Sequence, residues 1–433
     1  MTQDEALTIL KMGYNVFLTG APGSGKTHLL NRYISYLKAE GVKMGITAST
    51  GIAATHLDGI TIHSWSGLGI KEELTERDLK DLLDTPYLKK RITNTDVLII
   101  DEVSMLHDYQ FDFVNRICRA FRNDPRPFGG IQVVCAGDFF QLPPVTKKRR
   151  KPRFVTLSQI WNAMDMKICY LEEQHRHQEE ELSKILREIR TNSITRGSVK
   201  TLLKQKKKKF SLNITPTKLY THNRGVDIIN RKKLKQIKEK KKFYTFRKEG
   251  EEHFAKFLIN NSIVPKKLVL KKGAVVMFIK NNFDKGYVNG TLGKVVGFDK
   301  GNPVVETTSG KKVYVEREEW KVIEEGEEKA KIIQFPLRLA WAITIHKSQG
   351  MSLDAAEINL SKAFTPGMGY VALSRVKSLT GLKLVGLNKT ALKVRPDVIE
   401  LDEKFKKKSK TIRDYIKNSS EEEIQKRIEK QFS

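Results

Sequence analysis

No stretch of this chain approaches the run of about eighteen apolar residues that a membrane-spanning helix needs, so no membrane partner is expected. The opening residues lack the uninterrupted apolar core of a secretory leader, because Asp4, Glu5 and Lys11 break it. A cytoplasmic location is expected, nucleoid-associated in a bacterium. Cysteine is scarce. Cys118, Cys135 and Cys169 are odd in number and far apart, which fits neither a disulfide framework nor a zinc site. Buried, inert thiols in a reducing compartment are expected instead. A repeat of solenoid length is also missing.

What the chain has in excess is positive charge. Its 79 Lys and Arg against 50 Asp and Glu give a net +29. The excess is uneven. Residues 1–145 hold 15 Lys and Arg against 17 Asp and Glu, a net of −2, so residues 146–433 carry +31. A polyanionic partner held mainly by the later two-thirds follows from that asymmetry. A single lysine run such as KQKKKK at 204–209 reads first as a solvated face. With 433 residues, 39% apolar and 30% charged, the chain is globular and long enough for two or more domains.

Along the first third, short apolar runs alternate with helical patterns. NVFLTG at 15–20, ITAST at 46–50, DVLIID at 96–101 and IQVVCAGD at 131–138 read as buried strands. Leu29, Leu30, Tyr33, Ile34 and Leu37 recur at helical spacing. The alternation predicts an α/β fold, an open parallel sheet with helices on both faces. The polar stretch KEELTERDLKDLLD at 71–84 reads as a small helical insertion, and KKRRKPR at 147–153 as a linker or a phosphate contact. A second alternating region is expected from MKICYL at 166–171, through TKLYTHN at 217–223, to LAWAITIH at 339–346. Between the last two, residues 272–325 are Gly-punctuated and β-rich, as in KKVYVERE, and suggest a small inserted antiparallel barrel. Near the end, Ser420 and Glu423 have capping-box spacing, and Ile424, Ile428 and Phe432 form a narrow apolar stripe.

GAPGSGKT, that is Gly20-Ala21-Pro22-Gly23-Ser24-Gly25-Lys26-Thr27, follows the first strand and opens the first helix. That context identifies a P-loop. Its glycines let backbone amides surround phosphates, Lys26 reaches the β- and γ-phosphates, and Thr27 places a hydroxyl on Mg²⁺. DVLIIDEVSM at 96–105 carries Asp101, the magnesium carboxylate, to the end of an apolar strand, where an open sheet binds its ligands. Glu102 beside it is set to polarise the attacking water as a general base. AGDFFQLPPV at 136–145 brings Asp138 and Gln141 to another strand end, with Pro143 and Pro144 fixing a turn. A neutral Gln donates its amide to the γ-phosphate and loses that bond on hydrolysis. The guanine-reading N-K-x-D is absent, since NKTA at 388–391 lacks the Asp, so ATP is expected over GTP. His175 and His177 flank Arg176, yet no third ligand lies near them, and packed or solvated histidines are expected rather than a metal site.

Taken in order, these segments resemble the superfamily-one helicases, and within them the Pif-type (petite integration frequency) DNA helicases of the RecD-like branch. The resemblance spans nearly the whole chain. It is carried by GAPGSGKT, TASTGIAATHLDGITIHSWSGLG at 47–69, DEVSMLHDYQFDFVNRICRAFR at 101–122, GDFFQLPPV at 137–145 and LEEQHRHQ at 171–178. WAITIHKSQGMSLDAAEINL at 341–360 and GMGYVALSRVKSLTGL at 367–382 complete it. The resemblance implies two RecA-like domains, at 1–160 and 161–433, with ATP in the cleft between them. It implies a helical wedge at 64–90, an SH3-like barrel at 272–325 and a helical tail at 400–433. By family position, Gln3 reads adenine, Gly350 lines the nucleotide, and Arg176 and Arg375 approach the γ-phosphate from the second domain. Thr50, His63, Ser64, Thr344, His346 and Lys347 would hold the DNA strand, with Trp65 an apolar or stacking neighbour. The implied activity is ATP-dependent 5′-to-3′ translocation on single-stranded DNA by a monomer. It would unwind duplexes, G-quadruplexes and RNA–DNA hybrids in repair, replication or genome maintenance. The residues leave open an ATP-gated nucleic-acid clamp without processive unwinding.

Overall fold

The computed structural model describes residues 1–69, 71–144, 152–173, 179–208, 216–221, 225–261, 264–282, 284–324 and 327–431. Arg176, His175, His177, Phe432, most of the basic run 147–153 and the last residue of KQKKKK lie outside the described residues.

Six strands form the first sheet: β1 (Val16–Gly20), β2 (Met44–Ala48), β3 (Ile60–Thr61), β4 (Val97–Asp101), β5 (Gln132–Ala136) and β6 (Lys167–Leu171). Their order is β3-β2-β4-β5-β1-β6 and every pair is parallel. The strands are continuous apolar runs because both faces are covered. Phe17, Leu98, Ile100, Val133 and Cys135 point into one core, while Val16, Leu18, Val97, Ile99 and Val134 point into the other. The second core is closed by α1 (Gln3–Lys11), which starts on a Thr2–Glu5 capping box, and by α2 (Lys26–Ala39). The four expected strands are β1, β2, β4 and β5. Strand β3 was not expected, since two residues are too few to show a period.

Strand β6 differs from the expectation that 166–171 opens the second region. It pairs with β1 along its whole length, so the first sheet runs past residue 160. The reason is packing: Ile168 and Tyr170 enter one core and Cys169 and Leu171 the other, which only a covered strand can do. As an edge strand, β6 needs its own cover. Helix Pro396–Asn418 lies against it, and Ser409 Oγ accepts a hydrogen bond from Tyr170 N at 3.0 Å. The helix Glu421–Lys430 forms the expected capping box, and Ile424 and Ile428 pack on the core beneath α1 and α2. The C-terminal tail therefore folds back onto the first sheet rather than completing the second. Cys118, Cys135 and Cys169 are all buried, and burial pushes each thiol far above its usual range.

The polar insertion between β3 and β4 holds helix Glu76–Leu83, within the expected 71–84, and a second helix, Pro86–Thr93, beyond it. The second sheet has four parallel strands in the order Ala342–Thr344, Thr217–Tyr220, Ala356–Leu360, Leu382–Leu387. The β-rich insertion between its first two strands in sequence is larger than 272–325. A five-stranded antiparallel sheet uses Val275–Phe278, Leu292–Asp299, Asn302–Thr307, Lys312–Tyr314 and Leu337–Leu339. Glu318–Glu324 leaves that sheet for a separate one with Glu327–Gln334 and Arg247–Gly250. Charge hid the two that lie outside 272–325: Lys321 pairs with Glu319 and Glu328, and Lys331 with Glu249, on a solvated face. Among the described residues no helix is long and apolar enough to cross a membrane.

Candidate active site

The cleft begins where β1 hands over to α2. Gly25 caps α2 at φ +87°, and a Cβ there would collide with the Gln3 amide, so the sequence-expected adenine reader abuts the P-loop. Among the described residues no side chain caps the first turn of α2, which leaves its amides for an anion. Lys26 Nζ bends over the loop, donating to Gly20 O at 2.8 Å, Ala21 O at 3.1 Å and Ser24 Oγ at 3.4 Å. Burial pushes this amine below the ordinary lysine range, against the pull of Asp138 and Glu102. An incoming phosphate would replace three weak acceptors with one charged partner.

The end of β4 supplies the carboxylates. Asp101 is 8% exposed, and its Oδ1 accepts from Glu102 N at 2.8 Å. Glu102 sits at φ 50°, a left-handed backbone that costs about 1 kcal/mol or more and persists only where neighbours enforce it. Ser49 Oγ, donating to Glu102 O at 2.6 Å, is one such neighbour. Burial raises Asp101 to about 6, and burial with the Asp101 charge raises Glu102 to about 7. Glu102 Oε2 is buried and has no hydrogen-bond partner among the described residues. The donor set fits a magnesium ion, which takes one or two carboxylates and completes its shell with water and phosphate. Thr27 and Asp101 would hold it, and the orphaned Glu102 oxygen is where its water would find an acceptor. Among the described residues no trio of His, Cys, Asp and Glu gathers as a self-sufficient metal site.

After β5, Asp138 is fully buried and accepts from Gln141 Nε2 at 3.2 Å and Phe140 N at 3.2 Å. Gln141 lines the same cavity as Pro22, Lys26, Thr27 and Glu102, a space of about 450 Å³. Gly350 and Arg375 form its far wall. Arg375 is 1% exposed, with Nε donating to Val371 O at 3.0 Å and Nη2 to Ser374 Oγ at 2.9 Å. Burial lowers it to about 10, opposed by the Glu102 charge. A cation held dry by its own backbone, facing a carboxylate across the cleft, is ready for a phosphoryl group between them.

Among the cavity residues that escaped the sequence reasoning are His56, Lys280, Asn289 and Trp320. The last three belong to the β-rich insertion, and nothing local says that it folds back over the P-loop. His56 ends α3 (Gly51–His56) beside Asn289, and burial lowers its ring to about 4. Arg190 escaped too, having no motif around it, although it donates to Asp138 Oδ1 at 3.1 Å.

The residues expected to hold the strand divide into two groups. Thr50, His63 and Ser64 follow β2 and β3, at one edge of the first sheet, and Thr344, His346 and Lys347 end the edge strand of the second. Ser64 is exposed, His63, His346 and Lys347 are half-buried, and Thr50 Oγ1 caps α3 by accepting from Ala53 N at 3.3 Å. Burial narrows two of the expectations, leaving Trp65 the apolar neighbour rather than the stacking one. Trp65 is 2% exposed, its indole against Gly45 in the core, so it offers no ring face to a base. Thr344 is 1% exposed, and its hydroxyl caps the following turn by accepting from Lys347 N at 3.3 Å. Both are buried residues that a linear motif cannot separate from their more exposed neighbours.

A family model described as PIF1-like helicase matches residues 4–195, and one described as DNA helicase Pif1, 2B domain, matches residues 253–298, inside the β-rich insertion. The ATP-dependent DNA helicase Pif1 of Psychrobacter sp. (strain PRwf-1) is 45% identical, over 94% of this chain and 71% of its own length. The crystal structure of Bacteroides sp Pif1 in complex with ADP-AlF4 superposes with a TM-score of 0.81 at 31% identity, covering 94% of this chain and 96% of that one. Bacteroides Pif1 bound to ssDNA, at the same identity and coverage, superposes with a TM-score of 0.62. With its P-loop, paired carboxylates and facing arginine in one cleft, this chain belongs to the family of PIF1-like helicases.

Proposed function

We propose that this protein is an ATP-dependent DNA helicase that moves 5′-to-3′ along single-stranded DNA and displaces the complementary strand. The observation that carries the proposal is the cleft itself, in which Lys26, Glu102 and Gln141 from one sheet face Arg375 from the other. The relatives named for ATP-dependent DNA unwinding, and the neighbour bound to ssDNA, support it.

In this proposal Lys26 and the first turn of α2 hold the β- and γ-phosphates, and Gln3 lies against the base. Thr27 and Asp101 would hold magnesium, which would supply charge neutralisation on the phosphate oxygens. Glu102 accepts a proton as water attacks the γ-phosphorus, the bond to the β-phosphate oxygen breaks, and ADP and phosphate leave. Gln141, Arg176 and Arg375 stabilise charge on the transferred group, so hydrolysis waits for the two walls to close. Thr50, His63, Ser64, His346 and Lys347, at the ends of both sheets, hold the strand backbone, and the basic surface of residues 146–433 steers it in. Unwinding of G-quadruplexes and RNA–DNA hybrids, and action as a monomer, belong to the same proposal.

The test is strand displacement from labelled duplexes carrying a 5′ or a 3′ tail, in DNA and RNA forms, with ATP and Mg²⁺. Displacement from the 5′ tail alone is expected. DNA-stimulated hydrolysis with no displacement on any substrate would make the protein an ATP-gated clamp instead.

A further inference from the structure

One buried guanidinium ties both walls of the cleft together. Arg190 ends the helix Glu180–Arg190 and is 7% exposed. Its Nη1 donates to Asp138 Oδ1 at 3.1 Å and to Tyr370 Oη at 2.9 Å. Its Nη2 donates to Tyr170 Oη and to Asp402 Oδ1, both at 3.0 Å. The guanidinium carbon lies 3.9 Å from the centroid of the Phe140 ring. These partners come from the loop after β5, from β6, from the second-domain helix Met368–Leu373 and from the tail helix Pro396–Asn418.

The connections run outward to the reacting groups. Asp138 accepts from the Gln141 amide and so sets where Gln141 points into the cleft. Tyr370 stands on the helix whose Val371 carbonyl accepts from Arg375 Nε. At the start of that helix Gly367 comes so close that a Cβ would lie 2.8 Å from Phe140 O. Asp402 takes a second cation, Lys406 Nζ at 2.9 Å, at the edge of the network. A buried ion pair is a weak source of stability, because apolar side chains of equal volume serve as well. Its distinctive property is direction: a planar fork accepts partners only in fixed places.

We propose that Arg190 is a positioning residue for ATP hydrolysis, orienting Gln141 in one wall and the helix bearing Arg375 in the other, with the tail helix anchored into the same arrangement through Asp402. The proposal rests on the assignment of this cleft to ATP hydrolysis.

The test uses the full chain and the variants Tyr370→Phe, Asp402→Asn and Arg190→Lys. Each removes a contact while touching no nucleotide. DNA-stimulated kcat should fall about tenfold in each, as for residues that modulate a site without contacting its ligand, with KM for ATP unchanged within about twofold. Affinity for ADP–aluminium fluoride should fall by a similar factor while affinity for ADP holds, because only the former needs both walls aligned. Tyr370→Phe loses a single oxygen and keeps the test alive if an Arg190 variant fails to fold. Lowered melting temperatures with unchanged kcat and unchanged ADP–aluminium fluoride affinity would overturn the proposal and leave Arg190 a structural pin. A parent protein without DNA-stimulated hydrolysis would instead overturn the functional assignment, whatever the variants do.

Discussion

The two parallel sheets contribute to one cleft in different ways. The first has six strands with both faces dry, and its cleft groups sit at strand ends or within a few residues of them. Asp101 is the last residue of β4, and Lys26 and Gln141 lie in the short segments after β1 and β5. The second has four strands interrupted by a long β-rich insertion, and it brings Arg375 to the cleft on the turn after a six-residue helix. The first third of the chain is close to neutral, while the remainder carries +31. Phosphate chemistry is thus lodged in a rigid, locally encoded wall, and most of the charge that attracts a polyanion lies elsewhere. The lesson is a division of labour: one region encodes its cleft groups at strand ends, and the other brings a single arginine to face them.

That comparison can be broken. Arg375→Ala should lower DNA-stimulated kcat about a thousandfold, the scale of a missing transition-state arginine. A loss below about tenfold in steady-state hydrolysis would mean that the second sheet does not supply the cation. Lys26→Ala should cost hydrolysis at least about a hundredfold while single-strand binding, read by fluorescence anisotropy, stays within about threefold. Joint loss would show that chemistry and strand binding share one wall. Trp65→Ala should destabilise the protein by about 3–5 kcal/mol in chemical denaturation without weakening single-strand affinity of the folded fraction. A selective loss of affinity would restore the stacking role that its burial argues against. Raising salt from about 50 to 200 mM should weaken single-strand binding roughly a hundredfold if about five phosphates are neutralised. A flat response would remove the electrostatic half of the comparison.

The smallest effect concerns pH. Burial lowers His56 to about 4 from the ordinary 6.5, so the ring stays neutral in the fold while the unfolded chain takes up a proton. Stability from this group is full above pH 6.5 and is lost as pH falls toward about 4. His56→Asn should flatten that part of the curve of denaturation midpoint against pH. An unchanged slope would show that the ring is solvated where Asn289 meets it.

Legibility in the sequence followed locality. β1, β2, β4 and β5 were evident as apolar runs, and the P-loop, Asp101, Glu102 and Gln141 fell at their ends because parallel strands present their C-terminal ends to a ligand. The Ser420–Glu423 cap was equally local and formed. Strand β6 was visible as a strand and placed with the wrong sheet, since its partner lies about 150 residues away and pairing leaves no trace in the run itself. Strands Arg247–Gly250 and Glu327–Gln334, outside the expected 272–325, were hidden by lysine and glutamate that pair across a solvated face.

The sequence by itself determined the chemical groups: a phosphate loop, two carboxylates, a glutamine after the next strand, and a basic remainder. Only the tertiary structure decided the environment of those groups. It buried Trp65 and Thr344, set Lys280, Asn289 and Trp320 against the P-loop, and folded the tail onto β6. It also gathered Asp138, Tyr170, Tyr370 and Asp402 around Arg190. The physical reason is that strand ends and glycine turns are encoded within a few residues. Burial and long-range pairing depend on which surfaces exclude water together, and no single segment carries that information.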